Sequence, residues 1–161
     1  MKKLIILSCT MIALSSFMAT TGWAGPHFVK GPTATLDTNT GEYCVSFKES
    51  GLGSGPVTYT ITAGTGTTFT YQCFTKSNNT PQGSPNSVSG STDKTVTTIT
   101  PHNGTVSSTI CLIPEQGGAS CQGGGLVLRL VGTDYDNVTF TDGLGTTVNI
   151  PDACSGSGCP D

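Results

Sequence analysis

Segments in which every second residue is apolar recur along the chain, and they constrain its fold more than any other feature. In residues 57–63 the intervening positions are all threonine. In residues 67–74 the side chains of Phe69, Tyr71 and Cys73 share one face. A side-chain period of two is typical of a β-strand with one buried face. Because long helix-period apolar patterns are absent, we expect an all-β chain.

The spacing of these segments predicts the architecture. We expect about nine short strands with turns every 8–12 residues or so, which favours an antiparallel β-sandwich of immunoglobulin-like architecture. A small closed barrel is the alternative. Trp23 is the only tryptophan and precedes the first predicted strand, so the Cys…Trp…Cys hallmark is missing. The predicted strands are residues 33–38, 43–48, 57–63, 67–74, 94–100, 106–112, 126–130, 138–140 and 148–150.

The connections between these strands carry their own predictions. Residues 57–63 and 67–74 are expected to pair as a hairpin. The dipeptide Asn103-Gly104 is the strongest short hairpin signal in the chain. Residues 76–93 form the longest predicted loop, and long loops are often binding surfaces. A plain solvated connection is the alternative for this loop.

The N-terminus has the features of a signal peptide. Lys2 and Lys3 precede an apolar run, and Gly22 and Ala24 put small residues where a signal peptidase reads. We therefore expect residues 1–24 to be removed after Ala24, and the short basic leader is typical of bacteria. The protein would then be exported to the periplasm or the extracellular space.

The remaining 137 residues suit one domain. We expect residues 25–153 to form the β-sandwich domain, and 154–161 to be a flexible tail rich in Cys, Gly and Ser. Residues 25–32 are expected to be an irregular entry segment, since Pro26 and Pro32 discourage regular structure.

Six cysteines remain after the leader is removed, and an even number in an exported chain indicates up to three disulfides. Side-chain parity suggests one scheme, in which inward-facing Cys73 pairs with Cys121 across the core. Outward-facing Cys44 and Cys111 then pair between neighbouring strands, and Cys154 pairs with Cys159. A Cys111–Cys121 bridge is the main rival, and six cysteines allow 15 connectivities.

Charge argues against a nucleic-acid partner, and hydropathy argues against a membrane anchor. Lys2 and Lys3 are two of the seven Lys/Arg residues, which leaves five against ten Asp/Glu and a net charge of −5 for the mature chain. Without a basic patch, no nucleic-acid partner is expected. No second apolar run follows the leader, so no stable membrane anchor is expected.

Residues for catalysis do not form a recognisable set. The chain lacks a G-x-S-x-G elbow, and nothing brings His27 and His102 together in sequence. No enzyme is expected, and no cofactor apart from a candidate calcium ion. Asp134, Asp136, Asn137 and Asp142 provide the oxygen ligands that calcium prefers, although Asp and Asn are also ordinary turn residues.

Several stretches resemble a group of small exported bacterial β-sandwich proteins of unknown function. They are PHFV at 26–29, VSFKESGLG at 45–53, TYQC at 70–73, HNG at 102–104 and VTFTD at 138–142. The resemblance implies one secreted β-sandwich domain. It also implies Cys73 and Cys121 as the pair shared with that group, with the other four cysteines as additions. It supplies no substrate, partner or cofactor.

Three functions follow as expectations. The first is a non-enzymatic domain for extracellular binding or adhesion, with a glycan or a protein as partner. The second is a structural or assembly subunit that associates through sheet edges. The third is a small secreted hydrolase.

Overall fold

The computed structural model describes residues 25–90, 94–157 and 159, and the predicted signal peptide lies outside this range. The described residues contain eleven β-strands and no helix, so the all-β prediction is confirmed. The strands are β1 His27–Leu36, β2 Tyr43–Ser50, β3 Val57–Thr62, β4 Thr68–Thr75, β5 Pro81–Ser89, β6 Lys94–Ile99, β7 Thr105–Leu112, β8 Leu126–Tyr135, β9 Thr139–Asp142, β10 Thr147–Asn149 and β11 Ala153–Gly156.

The strands form three open antiparallel sheets, and no sheet closes into a barrel. Sheet A has the order β1-β2-β7, sheet B the order β10-β9-β3-β6, and sheet C the order β11-β8-β4-β5. The arrangement agrees with the predicted all-β, sandwich-like fold.

Sheets B and C share one long two-stranded ribbon. Strand β3 leads directly into β4, and β8 leads directly into β9. Tyr59 lies opposite Asp142 in sheet B, and Thr75 lies opposite Leu126 in sheet C. The two stretches therefore run antiparallel along their whole length and bend between the sheets. The predicted hairpin of β3 with β4 is wrong, because these strands pair with β9 and β8 instead of with each other.

Hydrogen bonds around Thr67 hold the bend. The Thr67 hydroxyl donates to Asp136 O at 3.2 Å and accepts from Asp136 N at 3.1 Å. Asp136 O also accepts from Gly64 N at 3.0 Å. A Cβ at position 64 would lie 2.4 Å from Asp136 O, so the glycine permits this close approach of the two backbones. Glycine here serves a bend, which explains why the sequence resembled a hairpin turn.

Sheet A covers both halves of the bent ribbon. Strand β2 alternates buried and half-buried residues, as its sequence predicts. At one end of β2, Tyr43 stacks on Tyr135 of sheet C with ring centroids 4.9 Å apart. At the other end, Phe47 lies 4.5 Å from Tyr59 and 4.8 Å from Phe140 of sheet B. One aromatic core thus joins the three sheets.

Two further segments form strands that were not expected. Strand β1 begins at His27, inside the predicted irregular entry segment, and register shifts between Phe28 and Thr33 accommodate Pro32. Residues 154–156, expected to begin the flexible tail, instead form strand β11 together with Ala153, and this strand pairs with β8. In both cases an existing strand supplies backbone partners that the local sequence does not reveal.

The predicted loop at 76–93 is the largest difference. Pro81–Ser89 forms strand β5, which pairs with β4 in a hairpin. At the other predicted hairpin, Asn103 and Gly104 have φ angles of 51° and 69°, as a type I′ turn requires. His102 and Thr105 form an antiparallel bridge across the turn, which confirms the predicted hairpin turn. The pairing extends no further, because β6 and β7 belong to different sheets.

The structure contains the three disulfides of the first pairing scheme. Cys44 and Cys111 are direct register partners on β2 and β7, with Cα atoms 4.0 Å apart. Cys73 of β4 bridges to Cys121 in the connection between β7 and β8. The third bridge joins Cys154 to Cys159. All six cysteines are half-buried, so the degree of burial does not set Cys73 apart from the other five.

Replacing disulfide pairs with serine tests which bridges stabilise the fold. The bridges Cys44–Cys111 and Cys73–Cys121 span 67 and 48 residues, whereas Cys154–Cys159 spans five. The chain-entropy model gives roughly 4 kcal/mol for each long bridge and about 2 kcal/mol for the short one. Urea unfolding should therefore rank the Cys154/Cys159 variant as the most stable of the three. A larger loss in that variant than in the other two would contradict the ranking.

The close approach at the bend predicts the effect of a methyl group. Gly64→Ala forces backbone atoms apart and should destabilise the protein by about 1–3 kcal/mol. Gly55→Ala is the control, because a Cβ there meets nothing within 4 Å. Urea unfolding should show the loss for Gly64→Ala alone, and equal stabilities for both variants would refute the role of Gly64.

Candidate functional site

An acidic groove lies beside the bend of the ribbon. It is lined by Gly66 and by the carboxyl-bearing residues Asp134, Asp136 and Asp152. Asp134 is on β8, Asp136 follows that strand at the bend, and Asp152 precedes β11, which pairs with β8. The bend and the β8–β11 pairing therefore bring together acidic residues that are separated in sequence.

Hydrogen bonds position two of these carboxylates. Asn137 Nδ2 donates to Asp136 Oδ2 at 2.7 Å, and Asn137 N donates to Asp152 Oδ1 at 2.9 Å. Asn137 has a φ angle of 49°, a left-handed conformation that asparagine tolerates. Burial raises the pKa of Asp134, and the negative charges of Asp136 and Asp152 raise it further.

The structure brings only part of the predicted calcium set together. Asp142 lies at the far end of β9 from Asn137, roughly 16 Å away along an extended strand. Its Oδ1 atom accepts from Leu144 N at 3.0 Å and Thr146 N at 2.7 Å, which closes the β9–β10 turn. Asp152 lies in the groove instead, which local sequence does not indicate.

One cluster in the described part of the chain is compact enough to surround a metal ion, namely Glu42 with Cys44 and Cys111. The two sulfurs are joined in a disulfide. Because metal binding by cysteine needs a thiolate, this cluster offers a single carboxylate and no thiolate ligand.

A second acidic group lies inside the core, at the other end of the ribbon. Glu49 and Asp142 are each 1% exposed, and we call them the carboxyl pair. The Tyr59 hydroxyl donates to Glu49 Oε2 at 2.8 Å. Asp142 Oδ2 is buried without a hydrogen-bond partner. The pair lies within the aromatic core formed by sheets A and B.

Burial dominates the electrostatics of this group. It raises the pKa of Glu49, and nearby Asp142 raises it further, while the Tyr59 hydroxyl opposes the shift. Burial and the bond to Glu49 also raise the pKa of the Tyr59 hydroxyl. Because both side chains are almost fully buried, the carboxyl pair has little contact with solvent in the folded protein.

The alternation of apolar residues in β2 also predicts that the Glu49 side chain is buried. Tyr43, Val45 and Phe47 share the inward face of β2, and a period of two places Glu49 on the same face. A carboxylate at the end of an apolar face needs a partner in the core. Phe140, two residues before Asp142, likewise marks the inward orientation of Asp142.

The fold brings one histidine near a serine and a carboxylate. His27 lies opposite Ser50 in the β1–β2 register, and Glu49 is adjacent in sequence. However, His27 Nδ1 donates to Gly25 O at 2.8 Å. Ser50 Oγ forms a 3.1 Å hydrogen bond with Thr105 Oγ1. The described geometry therefore lacks the serine–histidine hydrogen bond that activates a nucleophile.

One part of sheet C, which we call the arm, consists of β5 and residues 72–75 and 126–129, and its Val88 and Leu128 side chains pack against the core. Eight of the nine residues of β5 are exposed. On the arm, the guanidinium of Arg129 lies 5.5 Å from the ring centroid of half-buried Phe74. Gln72 Nε2 donates to Gly83 O at 3.0 Å, which ties β4 to the neighbouring strand.

Comparison of the chain with protein-family models, with curated proteins and with solved structures found no match. No helix of the described residues is long and apolar enough to cross a bilayer. The three disulfides indicate an oxidising environment outside the cytoplasm.

Crowding in the acidic groove predicts that one charge there is unfavourable. Since the pKa of Asp134 is raised above 3.8, its protonated form favours folding, and this contribution is lost as pH rises through the folded pKa. Asp134→Asn should therefore raise the melting temperature at pH 7 and leave it nearly unchanged at pH 3.

Asp37→Asn is a control of opposite sign. Asp37 Oδ1 accepts from Asn39 N at 2.8 Å, and this bond lowers the pKa of Asp37. Its stabilising contribution is present above 3.8 and is lost as pH falls. Thermal unfolding at pH 7 should move in opposite directions for the two variants, and a fall in both would contradict the account of the groove.

Proposed function

We propose that the protein is an exported, non-enzymatic domain that binds an extracellular glycan through the arm of sheet C. Three disulfides support export, because such bridges persist in oxidising compartments. The periplasm and the extracellular space both meet this condition, and glycan binding favours the extracellular space.

The exposure of β5 carries the proposal. A strand usually buries one face and thereby contributes to stability, because burial of apolar area is the main driving force of folding. In β5 only Val88 is partly buried, so the strand contributes little to the core. We therefore explain this ordered but exposed strand by a role in binding a ligand at the protein surface.

The chemistry of the arm favours a glycan over a protein. Gln82, Ser84 and Asn86 provide exposed amide and hydroxyl groups that match sugar hydroxyls. The apolar part of the arm is small and centres on Phe74 beside Arg129. Protein interfaces generally have a larger apolar centre.

The β5 edge argues against the assembly alternative at this surface. Pro81 and Pro85 lack a backbone N–H, and the register with β4 shifts between Tyr71 and Cys73. Prolines and bulges on an edge strand oppose pairing with another sheet. A subunit that assembles through this edge would be expected to keep its donors available.

A printed glycan array tests the proposal directly, with the mature protein carrying residues 25–161. The double variant Gln82→Ala/Asn86→Ala should lose at least about tenfold in affinity for any glycan bound, which corresponds to 1.4 kcal/mol. Thr58→Ala/Thr98→Ala is a matched control, since these exposed threonines pair across sheet B.

Each outcome of this experiment decides between the alternatives. Binding that is lost only in the β5 variant supports the proposal. Equal loss in both variants, or a protein that binds no glycan, contradicts it. Size-exclusion chromatography of the same sample distinguishes the assembly alternative, which predicts a defined oligomer.

A further inference from the structure

The carboxyl pair is the only place in the described core where two acidic side chains are fully buried together. Glu49 lies on β2 of sheet A, and Asp142 lies at the end of β9 in sheet B. Two negative charges in an apolar interior repel each other and lose their hydration, so the doubly ionised state is strongly disfavoured. A proton on one carboxyl removes the repulsion and leaves a single buried charge.

The hydrogen bonds indicate where that proton lies. Asp142 Oδ1 accepts from two backbone amides, which stabilise negative charge on this residue. Its second oxygen, Oδ2, is buried and has no donor. Tyr59 lies opposite Asp142 in the β3–β9 register and donates to Glu49, and Asp142 raises the pKa of Glu49. A protonated Glu49 therefore supplies the missing donor.

We propose that Glu49 is protonated in the folded protein and donates a hydrogen bond to Asp142 Oδ2, and that this buried site makes the domain more stable in acid than at neutral pH. The proton comes from solvent on folding and returns to solvent on unfolding. The device is independent of glycan binding, because the carboxyl pair and the β5 arm lie in different sheets.

The groups that face Glu49 agree with this assignment. From β3, the Tyr59 hydroxyl donates to Glu49 Oε2, a bond compatible with a neutral carboxyl. From β9, Asp142 raises the pKa of Glu49, and from β1 the charge of His27 acts in the opposite direction. From β7, the register partner is Val106, which does not titrate. Burial is the largest influence, and it favours the protonated form.

The sign of the pH dependence follows from the raised pKa. The stabilising contribution of the proton is complete below 4.5, the ordinary value for glutamate, and is lost as pH rises through the folded pKa. One proton changes the unfolding equilibrium constant by at most about tenfold per pH unit.

Urea unfolding of the mature protein between pH 4 and pH 8 tests the proposal. Glu49→Gln keeps an acceptor for Tyr59 and provides a permanent donor for Asp142 Oδ2. In the wild type, the unfolding equilibrium constant should change by up to about tenfold per pH unit because of this proton, and Glu49→Gln should lack that part of the pH dependence. The variant should also be more stable than the wild type at pH 7. Glu115→Gln is the control, since Glu115 is exposed, and it should follow the wild type. Parallel profiles for wild type and Glu49→Gln would overturn the proposal.

A measurement on the wild-type protein covers the case in which Glu49→Gln does not fold. The side-chain carboxyl carbon of Glu49, followed by NMR, should titrate with a midpoint clearly above 4.5. A midpoint at or below that value would show an ionised Glu49 and would also overturn the proposal.

Discussion

The reciprocal hydrogen bonds between Thr67 and Asp136 hold the bend of the two-stranded ribbon, and the arrangement of the three sheets depends on this bend. Thr67 is fully buried, and its hydroxyl satisfies both the N–H and the C=O of Asp136. Its own carbonyl accepts from Gly90 N at 2.9 Å, just after β5. Because buried backbone groups need partners, this one side chain stabilises a bend that would otherwise leave polar atoms unpaired.

The bend explains how three small sheets share one core. It turns sheet C away from sheet B while keeping both on the same continuous strands. Strand β2 can then contact both sheets, through Tyr43 on one side and Phe47 on the other. The acidic groove at the bend and the arm of sheet C follow from the same geometry. The two long disulfides connect β2 with β7 and β4 with the β7–β8 connection, and thereby restrain the layers covalently.

The sequence predicted the strands whose alternation reflects burial, and it could not predict strands held by pairing alone. Strand β3 was recognised because its threonines and apolar residues separate into two faces. The polar, proline-containing sequence of β5 predicts a loop because it has no buried face, and only its register with β4 makes it a strand. The bend was mistaken for a turn since Gly64 suits both. Long-range contacts decide such cases, and local sequence does not contain them.

The same limit applies to the acidic residues. Asp134, Asp136 and Asn137 were grouped correctly because they are neighbours in sequence, while Asp152 joins them only through the pairing of β11 with β8. Asp142 has the chemistry of a cation ligand, but two amides of its own turn and the buried Glu49 occupy its surroundings. Burial distinguishes the acidic residues of the groove from the buried carboxyl of Asp142, and the sequence indicates burial only through the alternation of apolar residues.

Hydrogen exchange in a Thr67→Val variant tests most directly whether the hydrogen bonds between Thr67 and Asp136 hold the bent ribbon together. The variant leaves Asp136 N without its acceptor, so we expect a loss of about 1–3 kcal/mol and faster exchange of backbone amides in both β4 and β9. Thr58→Val, on the exposed face of sheet B, should leave exchange in both strands nearly unchanged. If the amides of Thr67→Val exchange like those of the wild type on both sides of the bend, these hydrogen bonds do not hold the ribbon, and their central role is contradicted.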